Sequence, residues 1–326
     1  MYAELQSPLK RTPMKKITLA LVSLTFVFAL TACDDGGENT DYRAAMVSFV
    51  KAIAERGRTT AGADFGIFPQ NGQALTAGAD YLAVMTGSGN EEVFYGYDGD
   101  DVMTPPEVTA ELTGYMDPQV TAGKLVMVCD YCTTPAKVDD SYDKCAAHGY
   151  IGYVAVRDLD EIVDNGHVPT AADSHDCQTW SDVEHYLYII DTSKFASAEA
   201  FVNAVDGTYY DLVIIDAFYE DSQLTTEQIN RLKTKPDGKR RRVLAYMSIG
   251  EAEDYRWYWQ SGWGSGNPPF IDAENPDWPG NYAVRYWDAA WQAIIFEYLD
   301  KINSAGFDGV YLDKIDEYEY FEDGGY

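Results

Sequence analysis

Basic residues are what this chain most lacks: 24 lysines and arginines stand against 53 aspartates and glutamates, a formal charge of −29. Phosphate backbones require a basic surface, and the only basic run is residues 239–242, so nucleic acid is excluded as a partner. A field of this sign concentrates cations instead, cationic substrates among them, besides keeping the chain soluble. Histidine is sparse: His148, His167, His175 and His185 are scattered with no nucleophile beside them and receive no role. No glycine-rich phosphate loop follows any strand-like run, which argues against a nucleotide-binding doubly wound sheet. Cys129-x-x-Cys132 has no second pair at zinc spacing, so no metal is expected; Cys129, Cys132, Cys145 and Cys177 read as structural thiols or disulfide partners. Asp98-Gly-Asp-Asp101 lacks the spaced ligands of a calcium loop and reads as a solvated acidic turn. No organic cofactor is implied.

Long apolar runs are missing too. The one candidate, residues 17–30, is too short for a comfortable membrane span. Met14-Lys-Lys before it supplies the charged start of an export signal. Leu30-Thr-Ala-Cys33 resembles a bacterial lipobox, in which cleavage precedes Cys33 and its thiol is acylated; a plain signal-anchor is the alternative. The expected organisation is a mis-assigned start (1–13), a lipoprotein signal (14–32), an acidic tether (33–40) and a single domain (41–326). An exported, membrane-anchored protein follows, held to the membrane through its lipid alone.

What is present is alternation. Strand-like apolar runs occur at 65–69, 81–85, 125–129, 150–156, 186–190, 212–215, 243–248 and 309–312. Most are continuous, as in parallel strands buried on both faces. Between them lie helical patterns at 41–56 (Met46, Val50, Ile53, Ala54), 287–304 and after the Thr225-x-x-Gln228 capping box. A weaker helix over 105–121 is expected to break at Pro118. Residues 164–185 read as a polar surface linker. Eight strands alternating with helices predict an α/β fold, a (β/α)8 TIM barrel.

A set of motifs then appears in order: Leu244-Ala-Tyr-Met-Ser-Ile-Gly-Glu-Ala-Glu253, Tyr255-Arg-Trp-Tyr-Trp259, Asn275-Pro-Asp-Trp-Pro-Gly280, Val284-Arg-Tyr-Trp-Asp288 and Gly306-Phe-Asp-Gly-Val-Tyr-Leu-Asp313. This stretch resembles glycoside hydrolase family 114, the endo-α-1,4-polygalactosaminidases and their bacterial relatives. The family's next elements, a strand ending in Pro-Gln-Asn and a Glu before an aromatic pair, lie upstream here, as Pro69-Gln-Asn71 and Glu91 ahead of Val93-Phe-Tyr95. The family order is restored by reading 186–326 first and 41–163 second, so the chain resembles a circular permutant with 164–185 joining the old ends. A wrongly assembled gene is the other source of that order. In either case residue 326 is expected near residue 41.

The resemblance implies Asp313 as nucleophile and Glu91 as acid/base, with net retention. Glycoside cleavage needs two such carboxyl groups, one donating a proton and one attacking or activating water. Around them, Asp216, Ser248, Glu251, Gln70, Asn71, Asp130, Tyr131 and Tyr246 stand at strand ends as candidate substrate contacts, Asp216 and Glu251 for amino or hydroxyl groups of the sugar. Trp257 stands for the aromatic cluster of residues 257–287, where stacking on sugar rings is expected; Arg256 and Arg285 are expected to brace that loop. The function implied is internal cleavage of an α-1,4-linked, galactosamine-rich polysaccharide. A non-catalytic carbohydrate-binding lipoprotein on the same barrel is the alternative.

Overall fold

Two periodicities organise the chain. Met46, Phe49, Val50, Ile53 and Ala54 recur at helical spacing and form the buried face of α1, Tyr42–Ala61. Leu212-Val-Ile-Ile-Asp216 is instead buried along its whole length, as a strand covered on both faces must be. The structure, a computed structural model, describes residues 40–326. The expected start, signal, acylated Cys33 and nearly all of the tether lie outside the described residues.

Eight strands carry the core: β1 (Gly66–Pro69), β2 (Gly87–Glu91), β3 (Leu125–Tyr131), β4 (Ile151–Ala155), β5 (Tyr186–Ile189), β6 (Leu212–Asp216), β7 (Arg242–Ser248) and β8 (Gly309–Asp313). Helices α2 (Ala79–Val84), α3 (Pro106–Thr121), α4 (Pro135–His148), α5 (Ala198–Asp206), α6 (Thr226–Leu232), α7 (Ala289–Ala305) and α8 (Glu317–Asp323) alternate with them, except between β4 and β5, where a single 3-10 turn (Trp180–Asp182) stands instead. One parallel sheet runs β1-β8-β7-β6-β5 and another β2-β3-β4. Main-chain bonds join the two at β1 and β2, from Thr86 N to Ile67 O and from Asn71 N to Gly89 O, both 2.9 Å. At the other margin Tyr153 of β4 meets Tyr186 of β5 with ring centroids 5.4 Å apart. Beyond those strands the Leu159 carbonyl accepts the Ile190 amide at 3.0 Å. The result is an α/β unit, Tyr42–Tyr326, whose parallel strands lie side by side with helices between them. A small antiparallel sheet of Glu251–Glu253, Asn281–Val284 and Ile271–Glu274 is inserted after β7.

Most expected strands lie where the apolar runs put them; the second does not. Residues 81–84 close α2, and β2 is Gly-Ser-Gly-Asn-Glu, which carries no apolar signal. Its glycines answer to large neighbours. A Cβ on Gly89 would stand 1.7 Å from the Tyr311 hydroxyl, and one on Gly87 only 2.2 Å from the Leu125 carbonyl and 2.5 Å from the Phe68 ring. Aromatic rings of β8 and β1 thus fill the core space that β2 leaves vacant. Gly89→Ala is expected to lose about 3 kcal/mol of stability by overpacking, read from urea unfolding.

Pro118 does not break α3, which continues to Thr121. The proline sits in the last turn, so its missing N–H costs a single helical bond. The Thr225–Gln228 box caps α6 as its spacing predicts, the hydroxyl accepting Gln228 N at 3.2 Å. The four cysteines 129, 132, 145 and 177 are free thiols, all buried. Tyr42 of α1 packs on Phe321 of α8 at 5.5 Å and Arg43 pairs with Glu322 at 2.8 Å, so α1 and α8 are close neighbours.

Residues 164–185 are no loose surface connection. Cys177 and Val183 are buried, and Trp180 lies on Phe68 (5.0 Å) with its Nε1 donating to the Asp64 carbonyl at 2.9 Å. Arg242 stacks over the Trp180 ring at 4.6 Å, and the Arg240 amide donates to Asp176 at 2.8 Å. The segment therefore covers the N-terminal ends of β1 and β7. Its polarity supplies these ties.

Candidate functional site

Strands β2, β1 and β8 are consecutive neighbours, and all three leave the core in the same way. A left-handed, non-glycine residue follows each: Glu92 (φ 59°), Asn71 (φ 56°) and Lys314 (φ 59°). Such backbone costs roughly 1–3 kcal/mol per residue and clusters at functional sites. Immediately before each comes a polar side chain: Glu91, Gln70 and Asp313.

Glu91 is part-buried and accepts a short hydrogen bond from the Tyr131 hydroxyl. Gln70 is a second hydrogen-bond partner of the Glu91 carboxyl. Tyr188 donates to Gln70 Oε1 at 3.1 Å, which turns the amide's N–H groups toward Glu91. Asn71 contributes by accepting the Glu91 main-chain N–H at 3.1 Å. Across the site, Asp313 accepts the Tyr246 hydroxyl at 2.5 Å on one oxygen and the Lys314 main-chain N–H at 2.7 Å on the other. Burial, then the charge of Glu91, pushes Asp313 up to about 7. Burial likewise raises Glu91, against the hydrogen bonds of Tyr131 and Gln70 and reinforced by Glu92.

The surrounding acids are matched by cations. Arg256 pairs with Asp216 (2.5 Å) and Glu253 (2.6 Å), Arg157 with Glu92 (2.5 Å) and Asp100 (2.8 Å). Lys314 pairs with Glu251 (2.9 Å) and Glu317 (3.5 Å). Asp216 and Glu251, expected to meet substrate amines, thus already hold protein cations; Glu251 also accepts Asn275 at 2.7 Å and Tyr326 at 2.8 Å. Among the described residues, neither Glu91 nor Asp313 is in an ion pair. Asp130 is likewise in no ion pair, but it turns away behind β3 onto Phe94 N and Ser141 Oγ.

Other expected contacts fall elsewhere. Ser248 donates to the Glu251 carbonyl at 3.1 Å and holds the turn after β7. Asp130 is fully buried behind β3, accepting Phe94 N at 3.0 Å and Ser141 Oγ at 2.7 Å, so it is not a substrate contact. Side chains alternate along a strand, and Tyr131 takes the face toward Glu91. Trp257 is half-buried among protein side chains. It packs against Tyr258 (5.6 Å) and Tyr298 (6.1 Å), with the Lys301 ammonium over its ring at 4.4 Å. Tyr255 and Trp278, 56% and 46% exposed, are the large aromatics of this connection that face solvent. Arg256 and Arg285 brace it as expected, the latter through Asp272 at 3.1 Å.

Residues 169–325 match the model of glycoside-hydrolase family GH114. That segment belongs to GH114. An uncharacterized protein of Methanocaldococcus jannaschii is 45% identical over 128 residues, 38% of this chain and 36% of its own. Another from Deinococcus radiodurans is 46% identical over 118 residues, 36% and 37% of the two chains. One from Thermotoga maritima is 34% identical over 149 residues, 46% of each. The chain spans less than half the length of these curated relatives. A solved structure, Aspergillus fumigatus Ega3 in complex with galactosamine, aligns over 41% of this chain and 44% of its own, at 24% identity and a TM-score of 0.27.

The GH114 segment supplies Asp313, Tyr246, Tyr188 and Lys314; Glu91, Tyr131 and Gln70 come from outside it. Lys314 and Tyr188 were not singled out from the sequence. Their signal was faint: Lys314 directly follows the key acid, but its left-handed backbone is invisible in a list of residues.

Among the described residues one cluster has metal-ligand chemistry: His175, Cys177 and Asp211, at the opposite end of the strands from Glu91 and Asp313. Its donors are spoken for. Lys235 puts its ammonium 2.5 Å from Asp211 Oδ1, and the Glu184 and His185 amides reach Oδ2 at 3.0 Å. His175 Nε2 bonds the Asp182 carbonyl at 2.5 Å, and burial pushes the Cys177 thiol up to about 12. A metal would need that thiol ionised and Lys235 expelled, so the residues do not fit one.

Proposed function

We propose that this protein is an exported glycoside hydrolase that cuts an α-1,4-linked, galactosamine-rich polysaccharide internally. One observation carries it: beside acids paired with arginine or lysine, two carboxyls from the strand ends that flank β1 are in no ion pair, burial raises both, and Glu91 raises Asp313 further. The site accordingly holds a proton near neutral pH, as acid–nucleophile catalysis needs. In this scheme Glu91 donates that proton to the leaving oxygen while Asp313 attacks the anomeric carbon, forming a glycosyl-enzyme. Water, deprotonated by Glu91, then releases the sugar with net retention. Tyr246 and the Lys314 N–H hold the attacking carboxylate. An approaching substrate ammonium favours ionised Asp313 and so primes the nucleophile.

The scaffold we infer is a closed (β/α)8 barrel, supported by the side-by-side order of its eight parallel strands. A circular permutation is our reading of the motif order, in which Pro69-Gln-Asn71 and Glu91 stand upstream of the matched residues 169–325. Export and acylation rest on the signal and on Cys33. The net charge of −29 favours a cationic polymer.

The test is incubation of the purified protein with partly deacetylated galactosaminan, its fully acetylated form and a neutral α-1,4-glucan. New reducing ends are expected from the first and few from the last. Binding without new ends would make this a carbohydrate-binding protein; neither binding nor cleavage would remove the amino-sugar assignment.

A further inference from the structure

Three acids and one lysine lie within Asp313-Lys-Ile-Asp-Glu317, and only the lysine takes a left-handed conformation (φ 59°). That turn has two results. The Lys314 main-chain N–H swings onto Asp313 Oδ1 at 2.7 Å. Its side chain reaches the other way, to Glu251 Oε1 at 2.9 Å and Glu317 Oε2 at 3.5 Å. Both acids are almost fully buried, 3% exposed each, and Glu317 Oε1 has no hydrogen-bond partner. One ammonium on a partly exposed side chain therefore serves two buried carboxyl groups.

The surrounding chain is shaped to permit this. A Cβ on Gly250 would lie 2.2 Å from the Lys314 carbonyl and 2.7 Å from Glu317 Cβ, so only glycine lets the β7 exit approach the turn so closely. The Tyr326 hydroxyl lies on the same Glu251 oxygen at 2.8 Å.

We propose that Lys314 is a positioning residue for Asp313: its main-chain N–H fixes one carboxylate oxygen, and its ammonium screens Asp313 from the paired acids Glu251 and Glu317. The groups bearing on Asp313 are Glu91 from β2, Tyr246 from β7, and Lys314 and Asp316 from its own exit. Those bearing on Lys314 are Glu251, Glu317, Asp316 and Tyr326. Of these, Lys314 is the cation, and it favours the ionised form of Asp313. The catalytic role of Asp313 belongs to the proposed function; the positioning by Lys314 does not depend on it.

The two contributions separate by substitution. Lys314→Gly keeps the backbone that a left-handed residue needs but discards the charge; Lys314→Arg keeps the charge. The readout is a carboxyl-carbon NMR titration of the whole protein, with the Asp313 signal assigned by its absence in Asp313→Asn. The Asp313 midpoint is expected to rise by about one pH unit in Lys314→Gly and to stay within a few tenths of wild type in Lys314→Arg. If wild type cleaves galactosaminan, the acid limb of kcat/KM moves up with it. If wild type cleaves nothing, the proposed function fails while the titration still decides the role of Lys314. A midpoint unmoved in Lys314→Gly, or moved as far in Lys314→Arg, overturns it. Should Lys314→Gly not fold, Glu251→Gln leaves the ammonium with one anion fewer. The Asp313 midpoint then falls by about half a unit, and no movement overturns the proposal.

Discussion

Asp313→Asn is expected to cut the release of reducing ends by about a thousand-fold or more while leaving a folded protein, because an amide cannot form the glycosyl-enzyme. Glu91→Gln should act as strongly on substrates with poor leaving groups, which need the proton. The pair also makes a stability prediction of opposite sign. Burial and Glu91 raise the folded value of Asp313 to about 7 from 3.8. A carboxyl raised in this way favours folding below its unfolded value, about 4, and gives up that contribution as pH climbs through 7. Asn has no such dependence. Asp313→Asn should therefore match wild type near pH 4 and exceed it at pH 8 by on the order of 2 kcal/mol, the linkage value halved for a part-exposed side chain. Urea unfolding at the two pH values measures this. Equal stability at pH 8 would mean that Asp313 ionises freely and is no strained nucleophile. Glu91→Gln removes the second cause of the shift, so the Asp313 midpoint should fall.

Arg256→Met should be the most damaging change to the scaffold beside the site. Arg256, Asp216 and Glu253 are all at least nine-tenths buried, and the guanidinium bridges the two carboxylates at 2.5 and 2.6 Å. Without it two like charges remain in a dry interior, a loss of about 3–5 kcal/mol. Because burial already raises Asp216 and Arg256 opposes that rise, the variant's carboxyl takes up a proton more readily. Its deficit should therefore be largest at pH 8 and shrink toward pH 5, seen as converging urea midpoints with wild type. Arg256→Lys should recover only part, since one ammonium does not reproduce a fork that spans two acids. A deficit independent of pH would trace the loss to packing.

How far the sequence disclosed all this depended on what held each residue in place. Strands β5 to β8 were legible because Tyr186-Leu-Tyr-Ile189 and Leu212-Val-Ile-Ile-Asp216 need no partner to announce burial. Strand β2 was not, because Gly87 and Gly89 are dictated by rings on other strands. Glu91 and Asp313 were reachable as acids beside strand-like runs and recurring motifs. Asp130 and Tyr131 cannot both enter one mouth, because adjacent strand residues face opposite ways, a rule readable in the sequence alone. The neutralisation of Asp216 by Arg256 was beyond reach, since it joins side chains 40 positions apart.

Where Gly66 of β1 lies opposite Gly309 of β8, early and late parts of the chain meet. During synthesis Glu91 leaves the ribosome long before Asp313 exists, and β1 waits for that neighbour until β8 follows. A nascent chain short of β8 therefore carries one of the two carboxyls, and under the proposed function cleavage should arise in a single step once Asp313 joins Glu91.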